Sequence, residues 1–272
     1  MRIKAILFIL TSIFFLNSFS AYSQVNGVSS SKLVVSNAYT VPFHHSEIEP
    51  SFSYLMSKKG FSSYGKQFYY SPNKDSIDIT SDLYLRFTYG LTQDMEVGTI
   101  MTTDLSSLSF GSKYTFLRNK KFAGALLLGI NFINNRLSFL ALPATSEPWR
   151  KTSIAYGVTF TNQFSERLSL DTDVQLQNTL ANGNNYSNEL FAHSEIGYYI
   201  FNQQLQLIGG LDFHYKNRLY DRFSDFGLIF NTGVTIETGK NYLIVIYTPV
   251  AIAGRNTAIY YGINMAFTIS LH

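Results

Sequence analysis

Apolar and polar residues alternate along several stretches of this chain, and that alternation limits the possible folds more than any other feature of the sequence. In residues 77–89, apolar or aromatic side chains stand at nearly every second position, and Asp78, Asp82 and Arg86 lie among the residues between them. An amphipathic helix would repeat its apolar residues about every 3.6 positions instead. The same period of two returns in 168–180, 205–216 and 259–271. These four stretches are therefore predicted to be β-strands with one apolar and one polar face.

Weaker alternation raises the prediction to about twelve strands, although 241–253 is apolar on both faces. The further segments are 46–56, 95–103, 108–117, 122–135, 151–164, 189–201, 225–238 and 241–253. Most of the connections alternate in length, with short turns such as 118–121 and long loops such as 57–75 and 136–150; only 104–107 and 254–257 break the alternation. An even strand number, short periplasmic turns and long external loops are typical of bacterial outer-membrane barrels. The sequence predicts an all-β, antiparallel up-and-down barrel with both termini in the periplasm and loops 57–75 and 136–150 facing outward.

A secreted β-sandwich or a lipocalin-like barrel would also show alternating strands. Only 14% of the residues are charged, against about 25% in typical soluble domains. Aromatic residues lie near strand ends, and the strands are close to the roughly 10 residues that a tilted membrane strand needs. After Gln24 no apolar run approaches 18 residues, so a chain in the membrane must close into a barrel. These features favour the transmembrane barrel.

The composition also excludes several kinds of ligand and partner. The chain has no cysteine, which excludes disulfides and cysteine-ligated metals, and its net charge of +3 is too small and dispersed for a nucleic-acid surface. No glycine-rich phosphate loop is present, and no cofactor is predicted. The expected partners are outer-membrane lipid, the barrel-assembly machinery and an unidentified small solute.

The first residues are typical of a targeting segment. Arg2 and Lys4 precede an apolar run over 5–16, and small residues at Ala21 and Ser23 form a cleavage site. The run is nearer 12 residues than the roughly 20 that span a bilayer, which argues against a membrane anchor. We expect a signal peptide over 1–23, a loosely ordered periplasmic lead-in over 24–45 and the barrel over 46–272. No plug domain is expected before the first strand, which favours passive transport over energy-coupled uptake.

Two stretches carry a resemblance to a known family. Residues 89–98 read Tyr-Gly-Leu-Thr-Gln-Asp-Met-Glu-Val-Gly, and residues 108–116 read Leu-Ser-Phe-Gly-Ser-Lys-Tyr-Thr-Phe. This pair resembles the outer-membrane transporters grouped as the MetA-pathway-of-phenol-degradation family. The chain departs from that family at 104–107, where a Gly-x-Gly-Asp segment is often found, and at His272, where such barrels usually end in an aromatic residue. The resemblance implies an outer-membrane transporter over 46–272, with hydrophobic or aromatic solutes.

If the apolar faces meet lipid, the polar faces line the lumen. The predicted lumen residues are mostly acidic: Glu47, Glu49, Asp78, Asp82, Glu96, Asp171, Asp173, Glu195, Asp212 and Glu237, with Arg86, Lys113, Lys216, His193 and His214. One interpretation is an acidic channel that favours cations or polar neutral solutes. The alternative is an internal ionic network that braces a closed barrel, which would serve as a structural or partner-binding protein.

Histidine is the residue type that raises the question of enzymatic or metal chemistry. His44, His45 and His272 are expected to be peripheral, whereas His193 and His214 face inward with carboxylates nearby in sequence. A metal site would need these ligands to converge at about 2 Å, and a simple hydrogen-bonding role is favoured. A lipid-modifying enzyme would need a serine–histidine pair that lipid can reach, and inward histidines do not meet that condition. The sequence is therefore interpreted as a non-enzymatic barrel without a metal site.

Overall fold

The computed structural model describes residues 25–30, 32–69, 77–103, 105–133, 151–180, 187–201, 204–218, 224–239 and 241–271. The signal peptide predicted over 1–23, the whole loop predicted over 136–150 and the terminal His272 lie outside these residues. Among the described residues, no helix is long and apolar enough to cross a membrane.

The described chain is built from β-strands. Their bounds are β1 Ser46–Phe61, β2 Gln67–Tyr69, β3 Asp78–Gly90, β4 Met95–Thr102, β5 Ser107–Arg118, β6 Phe122–Ile133, β7 Lys151–Gln163, β8 Leu168–Leu180, β9 Ser187–Ile200, β10 Leu205–Arg218, β11 Asp225–Glu237, β12 Tyr242–Arg255 and β13 Thr257–Leu271. Each of the twelve predicted strands is present. The short β2 is additional, because part of the loop predicted over 57–75 belongs to β1 and β2.

Twelve strands close into an antiparallel barrel, which confirms the predicted architecture. Each barrel strand pairs with its neighbours in sequence, and β13 pairs with β1 from Ser46↔Leu271 to Phe61↔Thr257. The strand β2 pairs only with the last three residues of β1, Lys59–Phe61. Closure leaves no unpaired edge strand in the barrel, as a membrane-spanning sheet requires.

The ladder between β12 and β13 is interrupted. It is continuous from Tyr242↔Ile269 to Tyr247↔Asn264, and beyond that point holds only the pair Val250↔Tyr261. Pro249 lies in the interrupted part, and proline has no backbone N–H to donate.

The two faces of the wall differ as the membrane interpretation requires. Outward residues such as Leu83 and Leu128 are 46% and 57% exposed, whereas the inward Thr88 and Gln177 are fully buried. A soluble barrel would place the apolar face inside. This continuous outer apolar surface is the lipid-facing band of a transmembrane barrel.

The barrel has two unlike ends. Short connections at 91–94, 119–121, 164–167, 201–204 and 238–241 define the short-turn end, together with the start of β1 and the end of β13. The hairpin 62–66 lies at the opposite, long-loop end.

The N-terminal residues correct one expectation. We predicted a periplasmic lead-in over 24–45 and no plug before the first strand, but residues 25–30 and 32–41, here called the N-terminal segment, lie inside the barrel. Val25, Val28, Val35 and Ala38 are each at most 4% exposed. The segment lies in the lumen because its backbone amides find carboxylate, amide and hydroxyl partners on the inner wall.

Candidate functional site

The N-terminal segment is bound to the inner wall through its backbone. Arg86 donates to the Val28 carbonyl at 2.8 Å, and Thr88 donates to the Gly27 carbonyl at 2.9 Å. On the opposite part of the wall, the Val25 amide donates to the Gln175 side chain at 2.7 Å. These contacts satisfy backbone groups that would be costly to bury without partners.

Glycines on the wall make room for the segment. A Cβ atom on Gly98 would lie 2.0 Å from the Gly27 carbonyl oxygen, and one on Gly111 would lie 2.2 Å from the Asn26 carbonyl oxygen. Both glycines occupy inward positions on β4 and β5. Any side chain at either position would collide with the segment in its present place.

Glu96 is the central anchor of the segment. Its carboxylate accepts from the Ser29 amide at 2.7 Å, the Ser29 hydroxyl at 2.9 Å and the Val41 amide at 2.6 Å. Lys113 lies 3.2 Å from the same carboxylate and also donates to the Ser29 carbonyl at 3.0 Å. Both charged side chains are fully enclosed. One buried ion pair therefore fixes two separate points of the segment.

Three acidic residues of β8 and β9 hold the middle of the segment. Asp171 pairs with Lys32 at 2.5 Å, and Glu195 accepts from the Leu33 and Val34 amides at 3.1 and 2.8 Å. Asp173 accepts from the Ser36 amide at 3.1 Å. Together with Glu96, four of the ten predicted acidic lumen residues therefore bind backbone amides or the lysine of the segment.

The segment forms a small hairpin inside the barrel. Ser30 and Ser36 form an antiparallel bridge, and residues 32–35, here called the tip, lie between them. Leu33 packs with Ile208 and Val245 of the wall in an apolar cluster, which Val34, Leu243, Tyr247 and Ala266 extend. The tip therefore reaches across the lumen from the charged wall to the apolar wall.

A cavity lies on each side of the tip. The first encloses about 290 Å³ and is lined by residues that include Leu33, Glu49, Tyr84, Tyr247 and Asn264. The second encloses about 300 Å³ and shares Tyr247 and Asn264 with the first, while Val34 of the tip forms part of its wall. A small solute passing from one cavity to the other would move past the tip.

The remaining predicted lumen residues occupy different surroundings. Arg86 pairs with Glu49 at 2.7 Å and lies 3.6 Å from Glu47, rather than pairing with Asp78 or Asp82. Asp78 is exposed and Asp82 is half-buried, near the long-loop end of β3. These two carboxylates are therefore part of the mouth and not of the bracing network.

The inward histidines pair with carboxylates. His193 Nδ1 lies 2.7 Å from Asp173, and His214 Nε2 lies 2.7 Å from Glu189. Lys216 also reaches Glu189 at 2.7 Å. Within the described part of the chain, no group of three histidine, aspartate or glutamate residues is placed to hold a metal ion.

Glu237, a predicted lumen residue, accepts from the Tyr199 hydroxyl at 2.8 Å.

Sequence reasoning missed Glu189, Lys32 and the tip. Glu189 was missed although it lies on the inward face of β9, in alternation with His193 and Glu195. Lys32 was missed because it precedes the first strand and so carries no alternation signal.

The sequence and the fold were compared with those of known proteins. No protein-family model matches the sequence, and no curated protein matches it. The fold is similar to that of the COG4313 outer membrane channel from Pseudomonas putida F1, with a TM-score of 0.67 and 10% identity over 86% of this chain and 98% of that chain. The KdgM porin, solved with disordered oligogalacturonate, has a TM-score of 0.51 and 9% identity over 83% of this chain and 99% of that chain.

The chain thus has the twelve-strand β-barrel fold of outer-membrane channels and porins. At identities of about one residue in ten, the likeness establishes the fold alone. The resemblance carried by 89–98 and 108–116 is accordingly supported only at the level of an outer-membrane channel fold.

Proposed function

We propose that this protein is a passive outer-membrane channel whose route for small solutes runs through the two cavities and past the tip of the N-terminal segment. The observation that carries the proposal is the pair of cavities that share Tyr247 and Asn264 and are separated by Leu33 and Val34. The fold of a solved outer membrane channel supports the same class of function. In this proposal the barrel reaches the outer membrane after cleavage of the signal peptide and is inserted by the barrel-assembly machinery.

The inner wall indicates which solutes suit such a route. The inward face of β12 presents Leu243, Val245, Tyr247 and Pro249, so one side of the route is apolar and aromatic. The family resemblance points in the same direction, toward hydrophobic or aromatic solutes. The chemistry of passage then needs no nucleotide or redox cofactor, because a concentration gradient drives it.

One observation favours a second candidate function. The segment makes so many buried hydrogen bonds and ion pairs that the barrel is also consistent with a closed structural or partner-binding protein. The two functions differ in whether solutes pass the tip.

Charge at the mouth gives one test of transport. Changing Asp78→Asn together with Asp82→Asn should lower the permeability of potassium relative to chloride, because two negative charges leave the long-loop mouth. Stability should change by no more than about 0.5 kcal/mol, since Arg86 keeps Glu47 and Glu49 as partners. Reversal potentials in planar bilayers and urea unfolding would measure the two effects.

The control for this test removes two exposed charges from the short-turn end. Asp94→Asn with Glu166→Gln should shift the selectivity less than the mouth variant does. Unchanged selectivity in the mouth variant, with an earlier unfolding midpoint, would instead support the closed structural barrel.

The orientation of the barrel is a separate prediction. An epitope inserted at Ser63, in the hairpin 62–66 of the long-loop end, should be reached by antibody on intact cells. A matched epitope at Lys120, in the short turn 119–121, should be reached only after permeabilisation. The opposite labelling pattern would reverse the topology.

A further inference from the structure

The second cavity contains two buried acceptors that the protein does not use. Asp212 is 7% exposed and Asn231 is 1% exposed, and both line the cavity. The Asn231 amide donates to Asp212 Oδ2 at 2.5 Å, whereas Asp212 Oδ1 and Asn231 Oδ1 find no hydrogen-bond partner among the described residues. Buried acceptors of this kind are normally satisfied, so these two oxygens point to a donor that comes from outside the chain.

Asp212 lies opposite His193 of β9, but the two side chains do not form an ion pair. The basic side chains nearby are engaged elsewhere: His193 pairs with Asp173, while His214 and Lys216 pair with Glu189. In the described part of the chain, no ion pair within 4.0 Å includes Asp212. A buried carboxylate without a positive partner is costly, and a cationic donor would offset that cost.

The rest of the cavity lining is mixed. Apolar and aromatic side chains, namely Leu55, Phe191, Ile229, Pro249 and Tyr260, form one part of it, and the polar Asn264 and the histidines His193 and His214, which pair with Asp173 and Glu189, form the other. Aromatic faces attract cations as well as apolar groups. A cavity volume of about 300 Å³ suits a single small molecule.

We infer that the second cavity is a binding site for small primary amines with an apolar or aromatic body. The ammonium group would donate to Asp212 Oδ1 and Asn231 Oδ1, while the body would pack against Ile229, Pro249 and Tyr260. This inference deepens the proposed function, because the site lies on the proposed route, but binding at this site does not require that the solute be transported.

The test compares three probes with the same phenyl ring on short chains: 2-phenylethylammonium, 2-phenylethanol and 3-phenylpropanoate. Calorimetric titration of the full chain in detergent should show the ammonium binding at least tenfold tighter than the alcohol, which corresponds to about 1.4 kcal/mol. The carboxylate should not bind. Equal affinity for the ammonium and the alcohol, or no ammonium binding at all, would overturn the inference.

Variants tie the binding to the cavity. Asp212→Asn should reduce ammonium affinity about tenfold and leave the alcohol unchanged, whereas Asp94→Asn, which removes an exposed carboxylate at the short-turn end, should retain wild-type affinity. Ile229→Phe fills the cavity without removing charge and should weaken both probes. Should Asp212→Asn fail to fold, retained ammonium binding by Ile229→Phe would still contradict the site.

The binding and transport proposals can fail separately. If the protein binds the ammonium but does not conduct in bilayers, the binding site is supported and the channel proposal is wrong. If the protein conducts but binds none of the three probes, the channel proposal is supported and the binding site is wrong.

Discussion

Replacing Glu96 with glutamine should destabilise the barrel by about 3–5 kcal/mol, because the fully buried Lys113 then loses its only ion-pair partner in the described structure. The same change weakens the hydrogen bonds from the Ser29 and Val41 amides, which anchor the N-terminal segment at two points. Urea unfolding in lipid vesicles, followed by gel mobility of the folded barrel, would measure the shift in midpoint.

Two further variants make this result specific. Asp94→Asn breaks only the exposed pair with Arg118, at 3.6 Å, and should cost no more than about 1 kcal/mol. The double variant Glu96→Gln with Lys113→Met removes both buried charges and should recover part of the lost stability. A single Glu96→Gln variant as stable as the wild type would contradict the anchoring role.

Introducing valine at Gly111 should displace the N-terminal segment and raise conductance several-fold. The new Cβ atom would lie 2.2 Å from the Asn26 carbonyl oxygen and 3.1 Å from Val28 Cγ1, and its three nearest atoms all belong to the segment. The closest collision is therefore with the segment.

The lack of native cysteine gives this variant an independent measurement. A cysteine at Val28, which is buried in the wild type, should react slowly with maleimide and should react much faster when Gly111→Val is present. Gly209→Val is the matched control, since a Cβ atom there meets nothing within 4 Å. Equal labelling rates in the wild type, Gly111→Val and Gly209→Val would mean that the position of the segment does not depend on the space at Gly111.

The barrel was predictable because its signal is local and repeated. Residues 168–180 show the alternation clearly and form β8 with the predicted bounds. An even number of strands also allows the first and last strands to pair antiparallel, and β1 and β13 do so. Even β12, which is apolar on both faces, was placed correctly, because its flanking turns and neighbours define it. Its apolar inner face has a reason that the sequence hides: the tip of the N-terminal segment packs against it.

The contents of the lumen were not predictable in the same way. Residues 25–41 carry one lysine and many small residues, so they show neither strand alternation nor a helical pattern. The contacts that hold them join residues far apart in the sequence, 55 positions for Val41 and Glu96 and 139 positions for Lys32 and Asp171. The usable signal was on the wall instead, where Gly98 and Gly111 leave inward positions empty for a second backbone.

Planar-bilayer conductance of the wild type beside Gly111→Val tests the central claim, that solutes pass through this lumen beside the N-terminal segment. The account predicts small but measurable single-channel currents for the wild type and several-fold larger currents for the variant. The absence of current from both proteins, with folding shown by heat-modifiable migration on a gel, would contradict transport and leave the closed structural barrel.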